Sequence, residues 1–391
     1  MANSEQLDGD LAAKTSARTA ARLSVAPADT DAGPAGRPKF PRDNGFQAEL
    51  GLRVAGYFRA TGRRERDCWQ MYLKTAVILV WCAVSYALLV FVTRTWWQAL
   101  PPAILLAAGL GAVGFSIQHD GGHRAYSRRR WVNKLAAWSL DLMGASSYLW
   151  HWKHHIFHHT YSNVSGVDSD IELGAIVRVS PHQPRRWFHR WQHLYLWPLY
   201  GLMAGRWHLW GDFKDAITGW MGPHRIPRPS GWDLAVFLVG KIWSIGLLLV
   251  LPMLFHPVWA VLVFYLIVTA VLGVIMSVVF QLAHCVEEAD FPLPDPRTQR
   301  MASAWAVHQA ETTVDFARRS RVLSWYLGGL NFQIEHHLFP HVCHVHYPAL
   351  SEIVEATCRE YGVRYSAHCT LWAGLTSHYR WLRRMGLPVV A

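Results

Sequence analysis

The chain has 391 residues, of which 51% are hydrophobic and 17% charged, with 21 Trp and a formal charge of +11 when His is counted neutral. Soluble proteins carry charge on about a quarter of their residues, so this balance counts against an ordinary soluble protein and fits a chain in a bilayer, where Trp gathers at the interfaces. Six Cys without a C-x-x-C pair count against a disulfide framework or a thiolate metal site and fit a reduced setting, while the positive charge fits anionic lipid or an acidic protein rather than nucleic acid.

Residues 1–44 are rich in Ala, Gly, Pro, Asp and Thr without an apolar core, which predicts a disordered leader rather than a signal peptide. The rest, 45–391, reads as one membrane domain. Four apolar runs are long enough to cross a bilayer, which takes about 20 helical residues: 71–92, with Lys74 near its start; 96–118, uncharged; 234–255, with Lys241 inside; and 258–280, uncharged. Short turns, Thr93–Thr95 and His256–Pro257, join them into two hairpins. The shorter stretches Trp138–Trp150 and Leu194–Trp210, with their Trp and Tyr, predict helices lying in the interface. With a cytosolic N-terminus, the second and fourth spans both return to the cytosol. The loop between the hairpins, which holds Arg128–Arg130 and Arg185–Arg186, then shares that face with the C-terminal tail, and Arg94 is left on the other, as the positive-inside rule requires. The expected fold is an all-α integral membrane protein: four transmembrane helices in two hairpins, interfacial helices and a cytosolic helical cap.

The 22 His are more than a fold needs, and many cluster at the cytosolic ends of the spans. His119-Asp-Gly-Gly-His123 begins where the second span ends, and two His four apart share a helix face. His151-Trp-Lys-His154-His155-Ile-Phe-His158-His159 puts five His in nine residues. It contains both His154-x-x-x-His158-His159 and His155-x-x-His158-His159, and either triplet presents neighbouring imidazoles. Gln333-Ile-Glu-His336-His337 follows in the tail. His284, just past the fourth span at the depth of His119, is open between a helix cap and a ligand. Together these supply eight imidazoles and one amide, too many for one metal and about right for two, and nitrogen-rich ligation without Cys favours iron over structural zinc. Asp120, Asn163, Asp168, Asp170 and Glu287 are candidates to orient the imidazoles from behind. His182, His189, His193, His208, His224, His256, His308, His368 and His378 lack paired spacing and read as structural, as do His341, His344 and His346. A His-rich metal transporter would place ionisable groups along the spans, and here the His lie outside them.

These three ordered boxes resemble those of the membrane fatty acid desaturases, in particular the front-end group, in which Gln replaces the first His of the last box. The likeness extends to Ser147-Tyr-Leu-Trp150, Thr160-Tyr-Ser-Asn163, Gly328-Gly-Leu-Asn331, Leu338-Phe-Pro340 and Tyr379-Arg-Trp-Leu382, which are similar to the bacterial and cyanobacterial acyl-lipid branch, and it covers about 45–388. The resemblance implies a non-haem di-iron centre held by His119, His123, His154, His158, His159, His284, Gln333, His336 and His337. It implies O2 as co-substrate, an acyl substrate carried on lipid, CoA or carrier protein, and a cis double bond as product. A hydroxylase, ketolase or acetylenase on the same scaffold is the alternative. Bacterial relatives have Asn after the first His of the second box, which makes His154 the ligand; the shorter spacing selects His155. The H-P-G-G motif of a fused haem domain does not occur, so the expected electron donor is separate, a ferredoxin or free cytochrome, docking on Arg128–Arg130 or Arg185–Arg186. The expected location is the bacterial inner membrane, with both termini and the active site cytosolic.

Overall fold

Apolar runs without internal polar partners bury every backbone N–H and C=O in a helix, the only open-ended way to cross a bilayer. The computed structural model describes residues 37–388 and contains four such helices, Trp69–Val92, Trp96–Gly122, Gly231–Met253 and Val258–His284. The second and fourth run one turn past the ends their hydropathy predicts. Gln118, His119, Gln281 and His284 are polar, which ends the apolar run, but all four are buried, so the helices continue out of the apolar zone into protein. That extra turn, about 6 Å of rise, carries His119 and His284 into the cap.

The second span is 67% buried and the fourth 39%, against 17% and 22% for the first and third. The inner pair is therefore spans two and four, and spans one and three turn side chains such as Val80, Val84, Val239 and Ile242 outward. At the hairpin end, the Gln98 side chain accepts from the Arg94 and Thr95 N–H groups (3.1 and 3.3 Å), a capping box that starts the second span sharply. His256 Nε2 lies 2.7 Å from the Val90 carbonyl and ties the two hairpins together there. Gly273 faces the Tyr200 and Gly201 carbonyls so closely that a Cβ would overlap them, which lets the helix Gln192–Tyr200 cross the fourth span.

The two short apolar stretches are not single helices. Arg130–Leu142 is amphipathic, with Ala136 and Leu140 buried and Trp131 and Leu135 exposed. It ends at Gly144 (φ +99°), where a side chain would collide with the His208 ring, and a new helix starts at Ser147. That second helix has a π-helical middle, His151–His158. The later stretch divides into Gln192–Tyr200, Leu202–Arg206 and a π segment Trp207–Gly211. β structure among the described residues is two short strand pairs, Trp220–Met221 with His224–Arg225 and Asp315–Phe316 with Ala367–His368.

The cap closes over the inner ends of the spans. Its core includes Phe46, Leu50, Val54 and Phe58, one face of the helix Phe46–Thr61, packed with Ile334, Leu338 and Leu350. Of the expected leader, residues 1–36 lie outside the described residues. The part from Pro38 belongs to the folded unit: Lys39 pairs with Arg300, and Phe40 stacks on Tyr161 at 5.9 Å.

Candidate metal centre

Four separate segments deliver imidazoles to one buried volume. His119, His123, His154 and His336 each offer a ring nitrogen within 4.8 Å of the others; His158, His284 and His337 form a second such group. His159 adjoins both, grouped with His336 and His337, and its Nε2 lies 3.2 Å from that of His154. Gln333 Nε2 lies 2.9 Å from His284 Nε2. Two nitrogens held at right angles by one ion at about 2.1 Å stand about 3 Å apart, so these spacings match ligands of a common ion.

Local backbone form explains the second box. Hydrogen bonding i→i+5 widens a helix, so residues four and five apart come to one face. His151–His158 is π-helical, and His154, His158 and His159 accordingly project inward together. His155 is turned aside: it belongs to none of the groups above, and its Nδ1 lies 2.8 Å from that of His151. In the first box, Gly122 lets the Trp150 ring lie where a Cβ would sit, and that ring stacks on His154 at 4.5 Å. We expect His154→Ala to lower the bound metal per chain and His155→Asn to leave it unchanged, read by elemental analysis of the purified chain.

The second nitrogen of four of these rings is held from outside. His158 Nδ1 donates to Asp168 (3.0 Å) and His337 Nδ1 donates to Gln309 Oε1 (2.7 Å). His336 Nδ1 lies 3.3 Å from the Tyr347 hydroxyl, and His284 Nδ1 lies 3.3 Å from Ser162 Oγ. Such partners set the tautomer and leave the Nε2 lone pair free. The Nε2 atoms of His119, His123, His158, His336 and His337 are all buried with no hydrogen-bond partner. Buried, unsatisfied nitrogens each cost about 1–3 kcal/mol, a cost that a bound metal ion would remove; the Nε2 of His155, whose ring lies 4.2 Å from that of His123, is buried and unpartnered as well. Burial pushes His123, His159, His336 and His337 well below the ordinary imidazole range, and His154 down to about 4, so these rings are neutral, the metal-binding form. His158 differs: burial lowers it, but Asp168 and Asp170 together outweigh burial and raise it.

Of the acidic and amide candidates, Asp168 touches His158, and Asp170 stands 3.7 Å from His158 and 3.9 Å from His154 while pairing with Lys153 at 2.7 Å. Asn163, in the left-handed region at φ +60°, donates to the His284 carbonyl and through its N–H to Asp168. Asp120 accepts instead from His344 Nδ1 (3.0 Å), whose Nε2 accepts from Lys74 (2.9 Å). Glu287 is not behind the imidazoles: the chain leaves the helix at Cys285, and the Glu287 carboxylate faces Arg384 at 3.9 Å. Gln309, Tyr347, Ser162 and Lys153 carried no signal of their own in the sequence, since each acts on a ring or carboxylate supplied by another segment or turn. Several unpaired His have plain structural partners: His378 with Tyr200 and the Cys285 carbonyl, His208 with Tyr265 and Ser244, His224 with the Val167 carbonyl.

An apolar cavity of about 360 Å³ runs between the hairpins, lined by Leu89, Leu106, Phe264, Leu272 and Met276 among others, from Thr93–Trp96 to Leu140, Ala145 and Trp207. Those last three also line a second, more polar cavity of about 240 Å³, with Trp150, Lys153, Arg206 and Lys214.

A family model described as "Fatty acid desaturase" matches residues 95–368. The chain is 39% identical over 350 residues to an sn-1 linoleoyl-lipid 6-desaturase of Arthrospira platensis, covering 89% of this chain and 94% of that protein. It is 36% identical over 351 residues to the protein of the same name from a Synechocystis strain, covering 90% and 98%. An acyl-lipid (8-3)-desaturase of Physcomitrium patens is 38% identical over 346 residues, covering 88% and 72%.

Proposed function

The chain belongs to the fatty acid desaturase family, as an oxidoreductase that introduces a double bond into an acyl chain, and from that premise we propose a front-end acyl-lipid desaturase with two irons at the imidazole cluster. The observation that carries the reading is the set of buried, unpartnered Nε2 atoms converging behind Trp150, which stacks on His154 and lines the second cavity. His119, His123, His154 and His336 would hold one iron, and His158, His284, His337 and Gln333 the other, with His159 adjoining both groups. The amide of Gln333 can be turned end for end, which directs its oxygen at the ion. When bound, the irons supply, from O2 and two electrons, an oxidant able to take hydrogen from an unactivated methylene.

The protein's own residues do the rest. Asp168, Gln309 and Tyr347 hold the rings in place. The acyl tail fills the cavity between the hairpins, and the polar head stays at the Lys153, Arg206 and Lys214 end of the second cavity. The chain bends where the two meet, at Ala145 and Trp207, so its carbons pass Trp150, which separates cavity from imidazoles. Burial of the cluster keeps water from the reacting carbons. The Lys and Arg content of the site end, with Arg94 alone at the other, supports a cytosolic active site with both termini on that side, in a bacterial inner membrane. The electron donor is a separate protein.

The test is lipid analysis of a host that expresses the chain with a ferredoxin and is supplied with linoleate. The two cyanobacterial relatives named above are 6-desaturases of linoleoyl lipid, and position 6 lies between the carboxyl group and the double bonds already present. A new double bond there, in intact lipid, is expected. An alkynyl or hydroxylated chain instead would move the assignment to the alternative chemistry on this scaffold, and free acyl-CoA as the sole substrate would overturn the acyl-lipid part.

A further inference from the structure

Seven of the nine residues at the centre are buried; His123 and His154 are partly exposed. On the side where they approach the surface stand the two imidazoles that bind nothing in the cluster. His151 is exposed, its Nδ1 is 2.8 Å from that of His155, and the His155 ring lies 4.2 Å from that of His123. Three rings thus form an unbroken line from solvent to the first metal position. The rim around the outer end is basic. Arg124, exposed and next in sequence to His123, places its charge on both His151 and His155. Arg66 donates to the Arg124 carbonyl at 3.3 Å, and the stretch beside it brings Arg63, Arg64 and Arg128–Arg130 to the same edge. Of the acids nearby, Glu65 stands 3.9 Å from Arg66, Asp67 is engaged by Ser127, Tyr72 and the Arg128 N–H, and Asp233 acts on His151 alone of the two outer rings, so the rim keeps an excess of arginine. Arg185–Arg186 stand elsewhere: Arg185 Nε donates to the Gly386 carbonyl at 2.8 Å, against the C-terminal helix.

This matters because desaturation does not balance without outside electrons. An acyl –CH2–CH2– loses two hydrogens, and with O2, two electrons and two protons it leaves –CH=CH– and two waters; each of two carrier molecules is oxidised by one electron. Tunnelling falls steeply with distance, so the carrier must place its redox group where the ligand shell comes nearest the surface. Resting on the di-iron reading above, we propose that the face formed by Arg66, Arg124 and His151 docks an acidic one-electron carrier protein, and that His155 is the bridge from it to His123. His155 is a positioning residue here, not a ligand. Opposite charge at such a rim speeds encounter and orients the partner.

The experiment uses the iron-loaded full-length chain in nanodiscs, reduced anaerobically either by a reduced 2Fe–2S ferredoxin or by dithionite. Arg66→Glu with Arg124→Glu is expected to raise the ferredoxin concentration for half-maximal rate about tenfold or more and to flatten its salt dependence, with dithionite reduction unchanged. His155→Leu is expected to slow reduction at saturating ferredoxin about tenfold without moving the half-saturation point or the iron content. The proposal is overturned if the arginine pair alters only binding to anionic vesicles, or if Arg185→Glu with Arg186→Glu produces the ferredoxin effect instead. A wild-type chain that binds no iron fails the di-iron reading itself, and the docking proposal with it; iron that dithionite reduces and ferredoxin does not overturns the docking proposal alone.

Discussion

On the proposed di-iron reading, His158→Ala is expected to abolish desaturation and to lower bound iron from about two per chain towards one. His158 is fully buried, its Nδ1 is held by Asp168 at 3.0 Å, and its Nε2 has no protein partner. The two nitrogens therefore have separate tasks, one fixed by the protein and one left for the ion. Removing the ring takes away a candidate ligand and leaves the buried Asp168 without its imidazole N–H donor, so loss of the ion that His158 would help to hold is expected. Turnover is expected to drop by at least about a thousandfold, since no other group can replace the missing coordination. Asp168→Asn keeps the ring and weakens its anchor. Losses of about 10–100-fold in metal affinity or activity are typical of such outer partners. Elemental analysis beside product formation separates the two variants. Two irons per chain and normal product in His158→Ala would remove His158 from the centre, and with it the assignment of the second iron.

Lys241→Ala destabilises the protein more than any surface change. Lys241 lies inside the third span yet is 4% exposed. Its Nζ donates to the carbonyls of Gly144 (2.6 Å), Trp207 (3.2 Å) and His208 (3.2 Å) and to the Asp212 carboxylate (3.0 Å). Trp207–Gly211 is π-helical, and a π turn breaks the ordinary bonding ladder, so the Trp207 and His208 carbonyls need an outside donor, as does the loop carbonyl of Gly144. Alanine leaves them and a buried carboxylate unpaired, a loss of about 3–5 kcal/mol for breaking a buried pair from one side. A large fall in the thermal midpoint in nanodiscs is the expected reading. Removing both partners, as Lys241→Met with Asp212→Leu, is expected to recover part of that loss, because no lone charge is then buried. A double variant no more stable than Lys241→Ala would mean that the carbonyls, not the ion pair, carry the effect. Because Trp207 lines both cavities and Gly144 the first, loss of acyl binding is expected to accompany the loss of stability.

Lys74 and Lys241 show where a linear reading is misled. In sequence each is a charge in or near an apolar span, with no partner that the sequence names. In the fold each is a buried anchor, Lys74 through His344 to Asp120 and Lys241 to Asp212. His344 likewise passes from an unremarkable neighbour of the third box to the link between a span and the first box.

What the sequence by itself determined is local. Hydropathy places four spans because a bilayer rewards a continuous run of apolar residues, and each observed span starts within three residues of its expected position. Box spacing identifies the metal-binding segments because neighbours on a helix face are set by positions three to five apart. The polar ends of spans two and four were harder to read: hydropathy stops at Gln118 and near Phe280, whereas the helices continue because the cap buries the next turn. The tertiary structure alone decided which imidazole of the His154–His155 pair faces the centre, since that depends on a π-helical turn and on Trp150 packing over Gly122. It alone supplied Gln309 and Tyr347 as ring partners and turned Glu287 away, because those contacts join residues far apart in the chain or depend on where it bends. The histidine boxes carry the chemistry in their spacing; which nitrogen is free to bind is settled only by what packs behind each ring.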